Sequence, residues 1–303
     1  MTETPGKLFV IGEYAVLFGG EAVLVPTPQM AKVKIDEDGR NELTVLHTET
    51  RTTRLSEAII KEPLLAAVVK TLGEADQWST SSVTLDTTDF FLNGKKLGLG
   101  SSAALTAALI IALRPELDLP EQMKLAIEAH RLFQSGRGSG ADVALSILGV
   151  PIRFKIDREP IPQELPEDLH MLAIWSGEVA STSNFLLEVE KWQRRDPQGF
   201  NTHMTKLETC SSDFCAASDS YTMLSLIHRY NKYLHDFSIE SGINFYNDAH
   251  VAIQKEVESA RCVYKPSGAG GGDFGIAFSS DKKDITKLAR KIARVGRVAF
   301  LLR

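Results

Sequence analysis

The sequence predicts a folded protein of mixed helix and strand, arranged in two domains, and three observations lead there. The chain of 303 residues exceeds the usual size of one domain and leaves ample material for two cores. With 43% hydrophobic and 24% charged residues, its composition is globular and leaves little room for extensive disorder. Short apolar runs with strand character alternate along it with longer segments of helical spacing.

Leu8 to Ile11 and Ala22 to Val25 are apolar runs separated by Gly12, Gly19 and Gly20, and Lys32 to Asp36 alternates, so the chain opens with short strands. Ser56 to Thr71 and Met123 to Phe133 carry apolar residues at helical spacing, and each is expected to be one helix. Ser102 to Leu113 is apolar nearly all round, which predicts a buried helix. Between Val150 and Pro166 a strand-like stretch gives way to a connector rich in Pro and Glu, and the domain boundary is placed there, giving domains 1–160 and 161–303. Beyond it, His170 to Trp175 is a strand, Ser183 to Gln193 and Met223 to Phe237 are helices, and Phe274 to Phe278 is a strand following a glycine run. In the tail, Ile285, Leu288, Ala289 and Ile292 form one apolar face beside many Lys and Arg residues. A core-packed helix explains that face better than a membrane-surface helix, and the strand Val298 to Leu302 follows it.

A formal net charge of −5 argues against a protein that coats nucleic acid. One stretch departs from this balance: Arg131, Arg137, Arg153, Lys155 and Arg158 face only Asp142 and Asp157, a local excess of three positive charges. It suits a pocket for a small anion and equally a solvated basic face. Cys210, Cys215 and Cys262 form no paired framework and show no metal-ligand spacing, so they are read as structural thiols in a reducing cytosol. Met1 to Lys7 is short and polar without a signal-peptide core, and no apolar run reaches the roughly 20 residues of a membrane span, so a cytoplasmic location without membrane attachment is expected.

The chemistry concentrates in glycine-rich segments. Gly98-Leu99-Gly100-Ser101-Ser102-Ala103-Ala104 lies directly before the apolar helix. Glycines let backbone N–H groups approach an oxyanion, and the helix start adds free amides and a favourable dipole. Ser101 or Ser102 can cap the helix, or can turn a hydroxyl toward phosphate or Mg²⁺. The segment fits neither the Walker A pattern nor the Rossmann fingerprint. A second segment, Gly136-Arg-Gly-Ser-Gly-Ala-Asp-Val-Ala144, places Asp142 after a glycine-rich turn, where it could be a helix cap or an active-site carboxylate.

Three segments in order match the three motifs of the GHMP kinase superfamily, and the chain resembles that family across positions 5 to 275. They are Pro5 to Val16, reading Pro-Gly-Lys-Leu-Phe-Val-Ile-Gly-Glu-Tyr-Ala-Val, then Gly98 to Ala104, then Lys265 to Gly275, reading Lys-Pro-Ser-Gly-Ala-Gly-Gly-Gly-Asp-Phe-Gly. The resemblance implies an α+β fold of two domains, an N-terminal β-α-β domain of the GHMP type and a C-terminal ferredoxin-like domain, with the active site in the cleft. It implies ATP and Mg²⁺, with Gly98, Leu99, Gly100, Ser101, Ser102 and Ala103 on the nucleotide phosphates and Ser102 on the metal. Lys7 becomes the active-site cation and Asp142 the active-site carboxylate.

Trp175-Ser-Gly-Glu-Val-Ala-Ser-Thr-Ser183 resembles the pattern of the phosphomevalonate kinases within that superfamily, and His130 to Gly140 resembles their bacterial type. Mevalonate kinases carry a metal-binding glutamate on the corresponding helix, and none is cleanly placed here. The resemblance therefore implies phosphomevalonate as acceptor, with Tyr14, Arg137, Ser139, Ser181, Thr182, Ser183, Ser267, Gly268, Ala269 and Gly270 around it, and Ser267 to Gly271 closing over the reacting groups. A phosphate acceptor, mostly dianionic at neutral pH, needs no strong base, so Asp142 would orient Lys7 or Mg²⁺. Mevalonate kinase, a mevalonate-diphosphate decarboxylase-like lyase and a catalytically silent nucleotide-binding member are the alternatives.

Overall fold

The computed structural model describes residues 1–73, 80–136, 138–180 and 182–302, with the backbone alone at 182 and 183. Two compact units emerge, one of residues 1–7 and 26–150, the other of residues 8–25 and 151–303. The second takes in Leu8 to Val25, a segment that a division at 160/161 leaves with the first half of the chain.

Two long strands pass through both units, β1 (Thr2–Ile11) and β2 (Ala22–Asp36), the latter joining two runs that the sequence pattern suggests as separate strands. In the first unit the end of β2 pairs antiparallel with β5 (Ser82–Asp86), β3 (Glu42–Leu46) pairs parallel with β5, and β4 (Thr50–Arg54) closes a hairpin on β3. The expected helix from Ser56 to Thr71 is instead two, α1 (Leu55–Lys61) and α2 (Pro63–Leu72). The ring of Pro63 disfavours helical backbone at the preceding residue, and Glu62 is extended at φ −88° and ψ 112°. A short hairpin, β6 (Phe91–Leu92) with β7 (Lys95–Lys96), leads into α3 (Ser101–Leu113). Ala103, Ala104, Ala107, Ala108, Leu109 and Ile110 are buried around several sides of α3, the consequence of its all-round apolar sequence. Helices α4 (Leu119–Phe133) and α5 (Ala141–Leu148) pack against it. Helix α4 begins with a reciprocal capping box between Asp118 and Glu121.

In the second unit the start of β2 pairs with β8 (Ile152–Phe154), and β8 with β9 (Ile161–Pro162). Strand β10 (His170–Trp175) is followed by α6 (Thr182–Arg195), α7 (Pro197–Ala216), α8 (Ser220–Ser241) and α9 (Asp248–Glu258). Then come β11 (Val263–Pro266), β12 (Phe274–Ser279), α10 (Lys282–Arg294) and β13 (Ala299–Leu301). The four strands lie antiparallel in the order β11-β12-β10-β13, which with the intervening helices is the β-α-β-β-α-β arrangement of a ferredoxin-like fold. Ile285, Leu288 and Ile292 of α10 and Ile253 and Val257 of α9 are buried together with Leu172, Ile174 and Tyr264 of the sheet, so the apolar face of the basic tail helix belongs to the core. Among the described residues no helix is long and apolar enough to cross a membrane.

Leu288 is completely buried in that cluster. Leu288→Ala should therefore cost about 2–5 kcal/mol, as core cavities usually do. Val295→Ala, at a site 59% exposed, should stay within about 0.5 kcal/mol of the parent. Denaturant unfolding of the two variants measures both.

Candidate active site

In the first unit the chemistry gathers where β1 passes the turn before α3. Gly98 and Gly100 both have positive φ, 77° and 80°, so this turn is open to residues without a side chain. Lys7 donates its backbone N–H to the Leu99 carbonyl at 2.9 Å. A Cβ on Gly6 would fall 2.7 Å from that carbonyl oxygen, so the strand can approach only because residue 6 is glycine. Thr4 Oγ1 donates to the Ala104 carbonyl at 2.6 Å and Ser146 Oγ to the Pro5 carbonyl at 2.8 Å, tying the strand to α3 and α5.

That approach places the Lys7 side chain against Gly100, where an added Cβ would lie 3.2 Å from Lys7 Cε. Lys7 Nζ is 3.2 Å from Asp142 Oδ2, in the first turn of α5. The N-cap of α3 is Gly100 and carries no side-chain capping bond. Ser101 and Ser102 are the first helical residues instead of caps, because the left-handed conformation of residue 100 starts the helix one position earlier. Amides without a side-chain cap and a buried ammonium thus meet at one point, an arrangement that fits a phosphate group.

Ser102 Oγ lies 3.1 Å from His130 Nε2, and His130 is buried. Burial holds the imidazole below its usual titration range; Asp142 opposes this, and Lys7 and Lys96 reinforce it. Among the described residues no group of three or more His, Cys, Asp or Glu is placed to hold a metal. A hard cation near Ser102 would take most of its oxygens from nucleotide phosphates, which is how Mg²⁺ is commonly held. Ser139 is buried, its Oγ accepts from Ala141 N at 3.2 Å, and its carbonyl accepts from Arg131 at 3.1 Å, so it is engaged in starting α5. Arg137 lies outside the described residues.

In the second unit the third glycine segment is held on all sides. Ser267 is buried, and its hydroxyl both accepts from Phe9 N at 2.8 Å and donates to Phe9 O at 3.0 Å. Gly268 N donates to Glu13 Oε1 at 3.3 Å, and the Tyr14 hydroxyl donates to the Ala269 carbonyl at 2.5 Å. Burial, and then the charge of Glu13, keep the Tyr14 phenol well above its usual pKa and so protonated. A Cβ on Gly270 would meet the Phe245 carbonyl at 2.9 Å. Asn247 Nδ2 donates to the Gly271 carbonyl at 3.0 Å, and His250 Nε2 reaches the Gly272 carbonyl at 2.8 Å.

The same loop meets the Trp175 segment. Ser176 N donates to Asp273 O at 2.8 Å, Ala180 N to Asp273 Oδ1 at 3.1 Å, and Asn247 Nδ2 to Glu178 Oε2 at 2.5 Å. Ser181 lies outside the described residues, and Thr182 and Ser183 open α6. Within the basic run from Arg131 to Arg158, Arg153 pairs with Glu21 at 2.5 Å in the second unit, and Arg131 donates to the Ser139 carbonyl in the first.

Sequence reasoning gives no role to Glu13, His130, Asn247, His250 or Lys265. Glu13 and Lys265 stand inside the matched motifs, and a charged residue within the short strand of residues 263–266 is the available signal for Lys265.

Residues 80–150 match the family model described as GHMP kinases N terminal domain. The phosphomevalonate kinase of Streptomyces sp. (strain CL190) is 28% identical over 354 residues, covering 96% of this chain and 93% of that protein. The phosphomevalonate kinase of Saccharolobus solfataricus is 33% identical over 149 residues, 48% of this chain and 46% of that protein. Among solved structures, Streptococcus pneumoniae phosphomevalonate kinase in complex with phosphomevalonate and AMPPNP superposes with a TM-score of 0.80 at 19% identity, covering 99% of this chain and 98% of that one. Residues 80–150 therefore match a GHMP kinase N-terminal domain, and the chain has the fold of the Streptococcus pneumoniae enzyme. Its sequence is similar to the Streptomyces phosphomevalonate kinase over nearly its whole length.

His250 generates a pH prediction. With Nε2 donating to the Gly272 carbonyl, its neutral imidazole accepts at Nδ1 from the Tyr264 hydroxyl at 2.7 Å, and burial lowers its pKa to about 4. Above the unfolded value near 6.5 both states are neutral and the group is silent. As pH falls from about 6.5 to about 4 the unfolded chain alone takes up the proton, so stability is lost across that window by up to about 3 kcal/mol. Unfolding midpoints between pH 4 and 7 should fall more steeply in the parent than in His250→Gln.

Proposed function

We propose that the protein is a kinase that transfers the γ-phosphoryl group of ATP to (R)-5-phosphomevalonate, giving 5-diphosphomevalonate, with Mg²⁺. The observation that carries the chemistry is the pairing of buried Lys7 with the partly buried Asp142, set against Gly100 at the start of α3. Similarity to a phosphomevalonate kinase over 96% of the chain supports the acceptor.

Bound MgATP supplies the phosphoryl group and the metal's charge. Phosphoryl transfer asks a protein mainly for alignment and for positive charge around the equatorial oxygens. The amides of Gly98 to Ala103 would hold phosphate oxygens, and the Ser102 hydroxyl, steadied by His130, would be the side chain that meets the cation. Lys7 neutralises charge that develops between donor and acceptor, and Asp142 fixes the ammonium in place. An oxygen of the acceptor's phosphate forms the new bond to phosphorus as the bond to the ADP oxygen breaks. Because that phosphate is mostly dianionic at neutral pH, no proton has to be removed first and Asp142 is not required as a base.

On the acceptor side the resemblance to phosphomevalonate kinases assigns Arg137, the Trp175 to Ser183 segment and the loop Gly268 to Gly270 to the acceptor, whose phosphate suits charge-assisted hydrogen bonds. The Tyr14 and Ser267 hydroxyls are committed to backbone groups, so both contribute by shaping the loop.

Lys7→Met should lower kcat at least about a hundredfold while changing the affinity for ATP far less, since its charge acts mainly on the transition state. Steady-state kinetics with nucleotide binding measured by calorimetry separates the two; near-normal turnover removes Lys7 from the mechanism. For the acceptor, phosphomevalonate should be preferred over mevalonate by about 10⁴ or more in kcat/KM, because donors built for phosphate are left unpaired by the alcohol. ADP release with each acceptor, with the product identified by phosphorus NMR, decides it. Efficient use of mevalonate alone would overturn the acceptor assignment and give Asp142 the role of base.

A further inference from the structure

Lys265 is a fully buried ammonium to which the proposed chemistry gives no role. Its Nζ donates to Glu13 Oε1 and, at 2.8 Å, to the Pro266 carbonyl. Glu13 is also buried, and the same Oε1 accepts the Gly268 N–H at 3.3 Å, while its Oε2 is buried with no partner among the described residues. Burial pushes the Glu13 carboxyl up and the Lys265 ammonium down, and each charge is favoured by the other. An ion pair removed from water seldom offsets its desolvation, and a well-packed apolar pair of similar volume is often as stable. Stability alone does not account for the pair.

The backbone beside it is strained. Tyr14 has φ 63° and ψ −53°, and Ala15 N donates to Glu13 O at 2.7 Å. This is a three-residue turn in its rare positive-φ form, a strained conformation that persists only where the surroundings enforce it. The enforcement is visible. Tyr230 donates its hydroxyl to the Glu13 carbonyl at 2.6 Å, and the Tyr14 ring lies against Phe245 and Phe237 at 4.8 and 5.5 Å between centroids. The strained turn sends two consecutive side chains onto two consecutive residues of the glycine loop, Glu13 onto the Gly268 N–H and Tyr14 onto the Ala269 carbonyl.

We infer that Lys265 is a positioning residue: by holding the Glu13 carboxylate in place it sets the Gly268 amide and the Ala269 carbonyl in the geometry that phosphoryl transfer to the acceptor requires. The catalytic part of this inference rests on the kinase function proposed above. Lys265 touches no substrate, since it is fully buried. Its effect passes through Glu13 to the loop.

Replacing both charges, Glu13→Met with Lys265→Met, separates positioning from packing. The double variant should melt within a few degrees of the parent, as expected for an apolar replacement of a buried pair. Its Gly268 amide should exchange with solvent at least about tenfold faster in the free protein, because that N–H has lost its acceptor. Its kcat should fall at least about tenfold while KM for ATP stays within about threefold, because the loss concerns orientation and not nucleotide binding. Parent-like Gly268 exchange, or parent-like kcat, in the folded double variant overturns the inference and leaves the pair a packing element. Should the double variant not fold, Tyr14→Phe probes the same geometry without stranding a charge. It removes only the hydroxyl on the Ala269 carbonyl, and an unchanged kcat there overturns the inference as well. Amide exchange needs no substrate, so a parent protein inactive on phosphomevalonate would sink the functional proposal and leave exchange at Gly268 to decide whether Lys265 sets the loop.

Discussion

The first unit is organised by the close approach of β1 to the turn that begins α3. A glycine at position 6 lets the strand come within hydrogen-bond distance of the Leu99 carbonyl, and the left-handed glycine at position 100 leaves the room into which the Lys7 stem fits. A side chain at position 6 would push the strand and helix apart, and one at position 100 would crowd the Lys7 stem. The pairing of Lys7 with Asp142, and the placing of an ammonium beside uncapped helix amides, are consequences of that approach. The apolar sequence of α3 supplies the rigidity, since a helix buried on several sides has little freedom to shift its first turn.

The second unit meets a different constraint with different means. Its glycine loop carries three positive-φ residues, Gly268, Gly270 and Gly271, and such a backbone would be mobile if left to itself. Contacts from Glu13, Tyr14, Phe245, Asn247 and His250 hold successive peptide groups of the loop. The Ser267 hydroxyl is committed on both sides to Phe9, which anchors the start of the loop. Neutral groups do much of the holding, because burial keeps His250 uncharged and the Tyr14 hydroxyl stays protonated.

Much of the fold can be read from spacing. The pattern delimits His170 to Trp175 to the residue, and the buried helix after Gly100 and the amphipathic tail helix lie where periodicity puts them. One departure has a local cause that outweighs periodicity, the break at Glu62 enforced by Pro63; in the other, β2 continues through Pro26 and Pro28 from the apolar run at 22–25 to the alternating one at 32–36. The long helix α7 has a legible start in Asp196 and Pro197, with Asp196 accepting from Gly199 N at 3.0 Å, but its interior mixes polar and apolar residues too evenly for a clear stripe.

The sequence by itself determined where phosphate chemistry could occur, because glycines with positive φ, a helix start and the order of three glycine segments are local properties of the chain. It equally carried the alternation that separates helices from strands. What only the tertiary structure decided is which charges and hydroxyls are already engaged. Lys265 and Glu13 are 252 residues apart, Ser267 and Phe9 are 258, and Ala180 and Asp273 are 93. A pairing over such separations is set by strand order and burial, neither of which any short stretch of sequence contains. The same cause gave Glu21 to Arg153 and His130 to Ser102.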